Sequence, residues 1–335
     1  MQVTRRHFVQ DVAFAAGAVG TGALTSLVSA KETKPPAELL PVIDTHQHLW
    51  DLTKFRLPWT KDVPALNHSF VTKDYLAAIA GTNITRAVYM EVDVEPSQQT
   101  AEAEHVLNLT KNPKNLTVAA VISGRPASAD FKAYITRFKD VEGIKGVRQV
   151  LHGPETKAGF CLQDAFVSGV RLLGELNKSF DVCIRPTELA DAVKLADRCP
   201  DTRLIIDHCG NADPKAFGKL KDKETEKPDH DADEWRRQMS ALARKPNTVC
   251  KISGVVVRAR KGAWSAADLA PVINHCLDEF GPDRVIFGGD WPVCTLVASL
   301  SEWVTALREI ISARPAADQR KLLADNARKI YQLGT

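Results

Sequence analysis

The chain has 335 residues, room for one large α/β barrel or two ordinary domains. Its 44 Lys plus Arg and 41 Asp plus Glu nearly balance, and no basic block is long enough for a nucleic-acid footprint, so a nucleic-acid partner is not expected. A hydrophobic share of 44% is that of a soluble globular protein.

Residues 1–30 read as an address. "TRRHFVQ" sets Arg5 and Arg6 before Phe8, an apolar, Ala/Gly-rich stretch follows from Val12 to Val28, and "VSA" before Lys31 offers the small residues a signal peptidase needs. This is the pattern of a twin-arginine signal, which predicts passage through the twin-arginine export machinery to a periplasmic or secreted location. The other reading of the same run is an anchor that stays attached. No other apolar run is long enough to span a bilayer, so no stable membrane insertion is expected. Residues 31–40, "KETKPPAELL", form a polar, proline-bearing linker, and the folded domain is expected over 41–335.

From there a short β-rich run, a turn and a longer helical segment alternate. The runs are "VIDTHQHL" (42–49), "RAVYMEVD" (86–93), "LTVAAVISG" (116–124), "IKGVRQVLH" (144–152), "FDVCIRP" (180–186), "RLIIDHCG" (203–210), "TVCKISG" (248–254) and "RVIFGGDW" (284–291). They are near-continuously apolar, as strands buried on both faces are. Between them lie helix signals. Ser265 with Asp268 resembles a capping box, Thr187 precedes "ELADAVKLA", and Gly81 closes the first helix. Eight strand–helix units in about 290 residues predict a single (β/α)8 barrel. A doubly wound open sheet is disfavoured because no glycine-rich dinucleotide fingerprint follows any strand. The polar segment 211–234 reads as a solvated loop after the sixth strand. The seven cysteines read as small buried hydrophobes, most of them inside strands or helices.

Chemistry collects at the strand ends. Residues two apart on a strand share a face, so Asp44, His46 and His48 are expected to point the same way, at the end of a barrel where active sites sit. His208 ends the sixth strand and Asp290 the eighth, so metal-ligand and acid–base groups converge at one mouth. Glu91 and Asp93 end the second strand. Arg148 and His152 share a face of the fourth, Arg185 ends the fifth, and Trp291 is expected to wall the pocket. Trp50 and Trp59 read as stacking groups for a sugar-like ring or as loop packing. His68, His105, His230 and His275 carry no such signal.

"IDTHQHLW", "GVRQVLH", "IIDHCG", "KISG" and "RVIFGGDWPV" resemble the successive strand motifs of the amidohydrolase superfamily, best the branch of sugar-acid lactonases and 2-pyrone-4,6-dicarboxylate lactonase. The likeness runs from Val42 to the closing "DNARKIYQL". It implies His46 and His48 as the first-strand pair, His208 as the sixth-strand histidine and Asp290 as the general base that activates water. Arg148 matches an arginine that holds substrate oxygens. Two-metal members carry a lysine or glutamate on the fourth strand and a histidine on the fifth. Here Arg185 stands on the fifth, and the fourth offers Lys145 on the face opposite Arg148. The resemblance therefore implies either one divalent ion on His46, His48 and Asp290, aided by Glu91 or His208 and zinc first by its N/O ligands, or a metal-free site.

The expected reaction is hydrolysis of a small, oxygen-rich lactone, from a sugar acid or a dicarboxylate. Asp290 takes a proton from water, His46, His48 and His208 polarise the carbonyl, and Arg148, Arg185, His152, Trp291 and Glu91 hold the substrate. A metal-dependent decarboxylase on the same barrel and an exported, non-catalytic sugar-acid binding protein are the alternatives. Binding alone needs no water-activating base.

Overall fold

In the computed structural model of the chain, residues 39–218 and 227–334 are described. The expected export signal at 1–30, the linker up to residue 38 and part of the charged segment 211–234 lie outside them.

Each apolar run overlaps a strand: β1 Val42–Gln47, β2 Ile84–Met90, β3 Thr117–Ser123, β4 Ile144–Val150, β5 Ser179–Cys183, β6 Leu204–Ile206, β7 Thr248–Ile252 and β8 Val285–Phe287. They lie in one parallel sheet in chain order. Parallel neighbours need a crossover of a dozen or more residues. Helices supply it: α1 Thr72–Ala78, α2 Gln99–Thr110, α3 Phe131–Thr136, α4 Asp164–Glu175, α5 Leu189–Arg198, α6 Ala232–Ala243, α7 Ala266–Phe280 and α8 Leu300–Ile311. Ser265 and Asp268 form the expected capping box on α7, and Ser299 with Glu302 forms another on α8. Thr187 does not cap α5; a short 3-10 turn, Pro186–Glu188, intervenes. This is the expected (β/α)8 barrel.

The barrel closes between β8 and β1 by a mixed stitch. Thr45 Oγ1 donates to the Phe287 carbonyl at 2.6 Å, the Gly289 amide to Asp44 Oδ1 at 2.7 Å, the Asp290 amide to the His46 carbonyl and the His48 amide to the Trp291 carbonyl, both at 2.8 Å. The end of the barrel where the strands finish is thus joined through His46, His48, Asp290 and Trp291.

Alternation along the strands sorts side chains into two layers. Val42, Tyr89, Ile122, Leu204, Ile252 and Phe287 belong to the large core shared with the helices. Ile43, Val88, Met90, Ala119, Val121, Ile205, Val249 and Ile286 form a second cluster with Ala324, Ala327, Ile330 and Tyr331 of the C-terminal segment. That segment plugs the end where the strands begin. Arg86, Lys145 and Arg203, at the starts of β2, β4 and β6, donate to the carbonyls of Gly334, Gln332 and Ile330. Lys145 therefore lies at the end opposite the histidines. All seven cysteines are buried and free.

Candidate active site

The histidine pair owes its direction to a bulge. Between Asp44 and Gln47 β1 advances three residues while β2 advances two, from Ala87 to Tyr89. Such an extra residue breaks the period of two. Asp44 turns outward, where the Tyr75 hydroxyl of α1 donates to Oδ2 at 2.8 Å, while His46 and His48 face the interior. The expectation that Asp44 shares their face is thereby corrected. Its carboxylate instead ties two backbones, accepting from the His46 amide at 2.9 Å and from Gly289 at 2.7 Å. A Cβ at Gly289 would lie 2.5 Å from Asp44 Oδ2, so this approach requires glycine.

The partners of each imidazole fix its tautomer. His48 Nδ1 is 3.0 Å from the Met90 carbonyl, which can only accept, so Nδ1 carries a proton, and in the neutral tautomer Nε2 presents a lone pair. His46 Nε2 is 3.2 Å from Arg148 Nη1, which can only donate, so Nε2 accepts and Nδ1–H faces Asp207 Oδ1, 3.7 Å away. Burial first, then the neighbouring His208, Lys251, His48 and Arg148, hold the His46 pKa well below its usual value, so the ring is neutral. Asp290 Oδ1 completes the group, 3.4 Å from His48 Nε2 and 3.7 Å from His46 Nε2. Its backbone is left-handed (φ 56°), a conformation that aspartate and asparagine tolerate better than most.

His208 opens a run of four left-handed residues, His208, Cys209, Gly210 and Asn211, with φ between 51° and 67°. Such a run costs about 1–2 kcal/mol per non-glycine residue, and strain of this kind concentrates at functional sites. Its bonds are specific. The Trp235 indole donates to the Cys209 carbonyl at 3.0 Å, Asn211 donates to the Ile184 carbonyl at 2.8 Å, and His208 Nδ1 lies 2.9 Å from Ser253 Oγ. The turn brings the His208 ring to 4.5 Å from that of His46, centroid to centroid. Gly254, itself left-handed, leaves it room: a Cβ there would sit 2.3 Å from Nδ1.

Beneath these groups lies an ionic network that the sequence reading missed. Lys251 on β7 has no exposure, and its Nζ is 2.6 Å from Asp181 Oδ2 on β5 and 3.0 Å from Asp207 Oδ1 after β6. Asp207 Oδ2 is 3.6 Å from Arg148 Nη1. Burial pushes the Asp207 pKa up, but Lys251, His208 and Arg148 outweigh it and hold the carboxylate below its usual range. Arg148 is itself spoken for: Nε donates to Glu91 Oε1 at 2.7 Å and Nη2 to the Glu91 carbonyl at 2.8 Å. Glu91 in turn accepts from the Asp93 amide at 2.7 Å, and Asp93 pairs with Arg125 at 2.8 Å. Deeper still, Glu102 accepts from the Tyr89 hydroxyl and the Val92 amide, both at 2.9 Å. Burial and the neighbouring Glu91 push its pKa up to about 8. A lysine or aspartate inside a run buried on both faces must find a counter-charge, and "KISG", "FDVC" and "IIDH" carried that signal.

Other expected residues fall further out. Arg185 follows β5 and donates to Glu188 Oε1 at 2.7 Å, to the Thr156 carbonyl at 2.8 Å and to the Gly153 carbonyl, bracing the loop after β4. His152 lies exposed on that loop. Trp291 is buried and packs edge-on against Phe70 and Tyr75, at 5.5 and 5.4 Å. Trp50 and Trp59 bond the His68 and Val92 carbonyls, packing loops together. Thus the structure gathers His46, His48, His208, Asp290, Arg148 and Glu91, while Arg185, His152 and Trp291 stand around them. The sulfurs of Cys209, Cys250 and Cys276 also converge, within 4.8 Å of one another and without exposure. Three thiolates there would leave net negative charge in an apolar layer, so they pack as neutral thiols.

The donor set of His46, His48 and Asp290 fits a cation. Their ligand atoms lie within 4.8 Å of one another. A tetrahedral ion with ligands at about 2.0–2.1 Å sets its donors about 3.3–3.4 Å apart, close to the 3.4 and 3.7 Å found. An ion here would take up the His46 Nε2 lone pair that Arg148 Nη1 faces at 3.2 Å.

A family model described as "Amidohydrolase" matches residues 43–333. An L-fucono-1,5-lactonase from Burkholderia multivorans is 29% identical over 300 residues, covering 87% of this chain and 96% of the relative. A second one, from Burkholderia ambifaria, is 27% identical over 267 residues, covering 78% and 83%. The crystal structure of an amidohydrolase from Burkholderia multivorans with bound zinc shares the fold, with a TM-score of 0.75 at 23% identity over 88% of this chain and all of that one. Because the match runs from the first strand past the eighth, the chain is an enzyme of the amidohydrolase family.

Proposed function

We propose that this enzyme opens an uncharged, hydroxyl-rich lactone by attack of water on the ester carbonyl. The reading is carried by Asp290 Oδ1 standing beside the lone pairs of His46 and His48 at the end of the barrel, and it agrees with the two lactonases among the relatives. Asp290 accepts the proton of the attacking water and returns it to the ring oxygen as the ester bond breaks. With Ser253 donating to Nδ1, His208 offers Nε2–H to the oxygen on which charge develops. His46, His48 and Asp290 would hold one divalent ion, zinc first, and when bound it supplies Lewis-acid polarisation and a lowered pKa for water. A neutral substrate is favoured because the guanidinium groups of Arg148 and Arg185 already have protein partners and leave no free fork for a carboxylate.

The test is a pH-indicator screen of the purified protein against neutral sugar lactones and a pyrone dicarboxylate. Turnover of the neutral lactones supports the reading. Preference for the dicarboxylate, or release of carbon dioxide from a hydroxybenzoate without lactone turnover, overturns it. Export through the twin-arginine route is part of the same proposal, and replacing Arg5 and Arg6 with lysine should leave the protein in the cytoplasm.

A further inference from the structure

Three buried polar atoms without a full hydrogen bond meet at one point: His46 Nδ1, Asp207 Oδ1 and Asp207 Oδ2. Asp207 nevertheless cannot turn away. Lys251 Nζ stands 3.0 Å from Oδ1 and Arg148 Nη1 stands 3.6 Å from Oδ2, so the carboxylate is gripped from two sides. The contact it leaves open is the 3.7 Å approach to His46 Nδ1. On the far side of that ring, Nε2 faces Asp290.

We propose that Lys251 is a positioning residue that works through Asp207. It aims the Asp207 carboxylate at His46 Nδ1–H and so shares with Arg148, on the other side of the ring, in keeping His46 in the tautomer whose Nε2 lone pair serves the reaction. When positive charge gathers at Nε2, the Nδ1–H bond is polarised and the 3.7 Å contact shortens into a charge-assisted hydrogen bond. Catalytic hydrogen bonds are often long until the site is filled. Asp181 has a different part. It binds Lys251 at 2.6 Å and has Ser179 Oγ at 3.4 Å, with no contact to His46, so it stabilises the buried ammonium without aiming anything. The kinetic side of the proposal rests on the lactone-hydrolysis reading; the tautomer side does not.

Three variants separate these parts. Asp207→Asn keeps the shape and weakens the acceptor. Lys251→Met combined with Asp181→Asn removes the grip on Asp207 together with the carboxylate that would otherwise be stranded. Asp181→Asn alone is the control. Two measurements are made on each full-length variant: steady-state kinetics on the best neutral lactone, and the 15N shifts of the His46 ring by NMR. The first two variants should lose about 10–100-fold in kcat with KM changed by less than about twofold, the usual worth of an outer partner of a functional histidine. Their His46 Nδ1 and Nε2 signals should move toward a mixture of tautomers, and the control should keep wild-type kcat and shifts.

Unchanged His46 shifts in folded Asp207→Asn overturn the proposal even if lactone turnover is intact. An equal loss of kcat in the Asp181→Asn control overturns it too, because the effect would then be general loosening. If no lactone is turned over by the wild type, the functional reading fails while the NMR comparison still decides the role of Lys251.

Discussion

Arg148 donates to the same nitrogen of His46 that faces Asp290: its Nη1 lies 3.2 Å from Nε2, and Asp290 Oδ1 lies 3.7 Å from that atom. The guanidinium is buried and belongs to the floor of the site. Replacing it would strand Glu91, which has no exposure. Arg148→Met is therefore expected to destabilise the fold by about 3–5 kcal/mol, the range for breaking a buried ion pair. The sequence alone suggests a different outcome, weaker substrate binding with the fold intact. Urea unfolding of the variant distinguishes them: a midpoint near that of the wild type would return Arg148 to the role of substrate ligand.

Asp290→Asn should leave the fold intact, since asparagine accepts the left-handed backbone at this position as readily as aspartate does. It removes the proton acceptor, so kcat should fall by about two to four orders of magnitude. Steady-state kinetics with circular dichroism as a folding control checks this. Near-normal turnover would remove Asp290 as the base.

Metal content should be one divalent ion per chain. A second acceptor group exists at His46, Asp207 and His208, but Lys251 and Arg148 already stand 3.0 and 3.6 Å from Asp207. Another dication there would face two fixed positive charges. Elemental analysis of the purified protein should give a single equivalent, and dialysis against a chelator should remove it together with activity. Two tightly held ions would contradict the assignment.

Stability should decline as pH rises toward 8, and Glu102 should account for part of the slope. Its folded pKa of about 8 lies above the ordinary 4.5. Between these values the unfolded chain releases the proton while the folded chain keeps it. The favourable contribution is complete below the lower value and is lost on the way to the upper one, with a limiting slope of about 1.4 kcal/mol per pH unit. Glu102→Gln keeps an acceptor for Tyr89 and Val92 and cannot titrate. Its unfolding free energy, measured across this window, should vary less with pH than that of the wild type; an identical slope would mean that Glu102 does not titrate as described.

The strands were legible because each is apolar on both faces, and the candidate site groups because they sit just past the strand ends, where "HQH", "DHCG" and "GGDW" interrupt the apolar pattern. What escaped was direction. Asp44 reads as a neighbour of His46 by alternation, and nothing in "VIDTHQ" announces the extra residue that turns it outward. Arg148 reads as a free cation because its partner, Glu91, becomes a neighbour only through folding, and Arg185 because the carbonyls of Gly153 and Thr156 join the nearby Glu188 around it only in the fold. Lys251, Asp181 and Asp207 were visible as charges within apolar runs, yet their convergence depends on three strands facing a common interior.

The joint between β8 and β1 gives the site a lifetime of its own. Asp290 and His46 share a backbone hydrogen bond across that joint, as His48 and Trp291 do, and the remaining stitches run through the side chains of Asp44 and Thr45. A joint that leans on side chains parts more easily than a continuous ladder, and parting it separates Asp290 from the histidines while the helices stay wound. Hydrogen exchange at the amides of His48 and Asp290 thus times how long the enzyme remains assembled between openings. On warming, catalysis should fade while the ellipticity of the barrel is still intact.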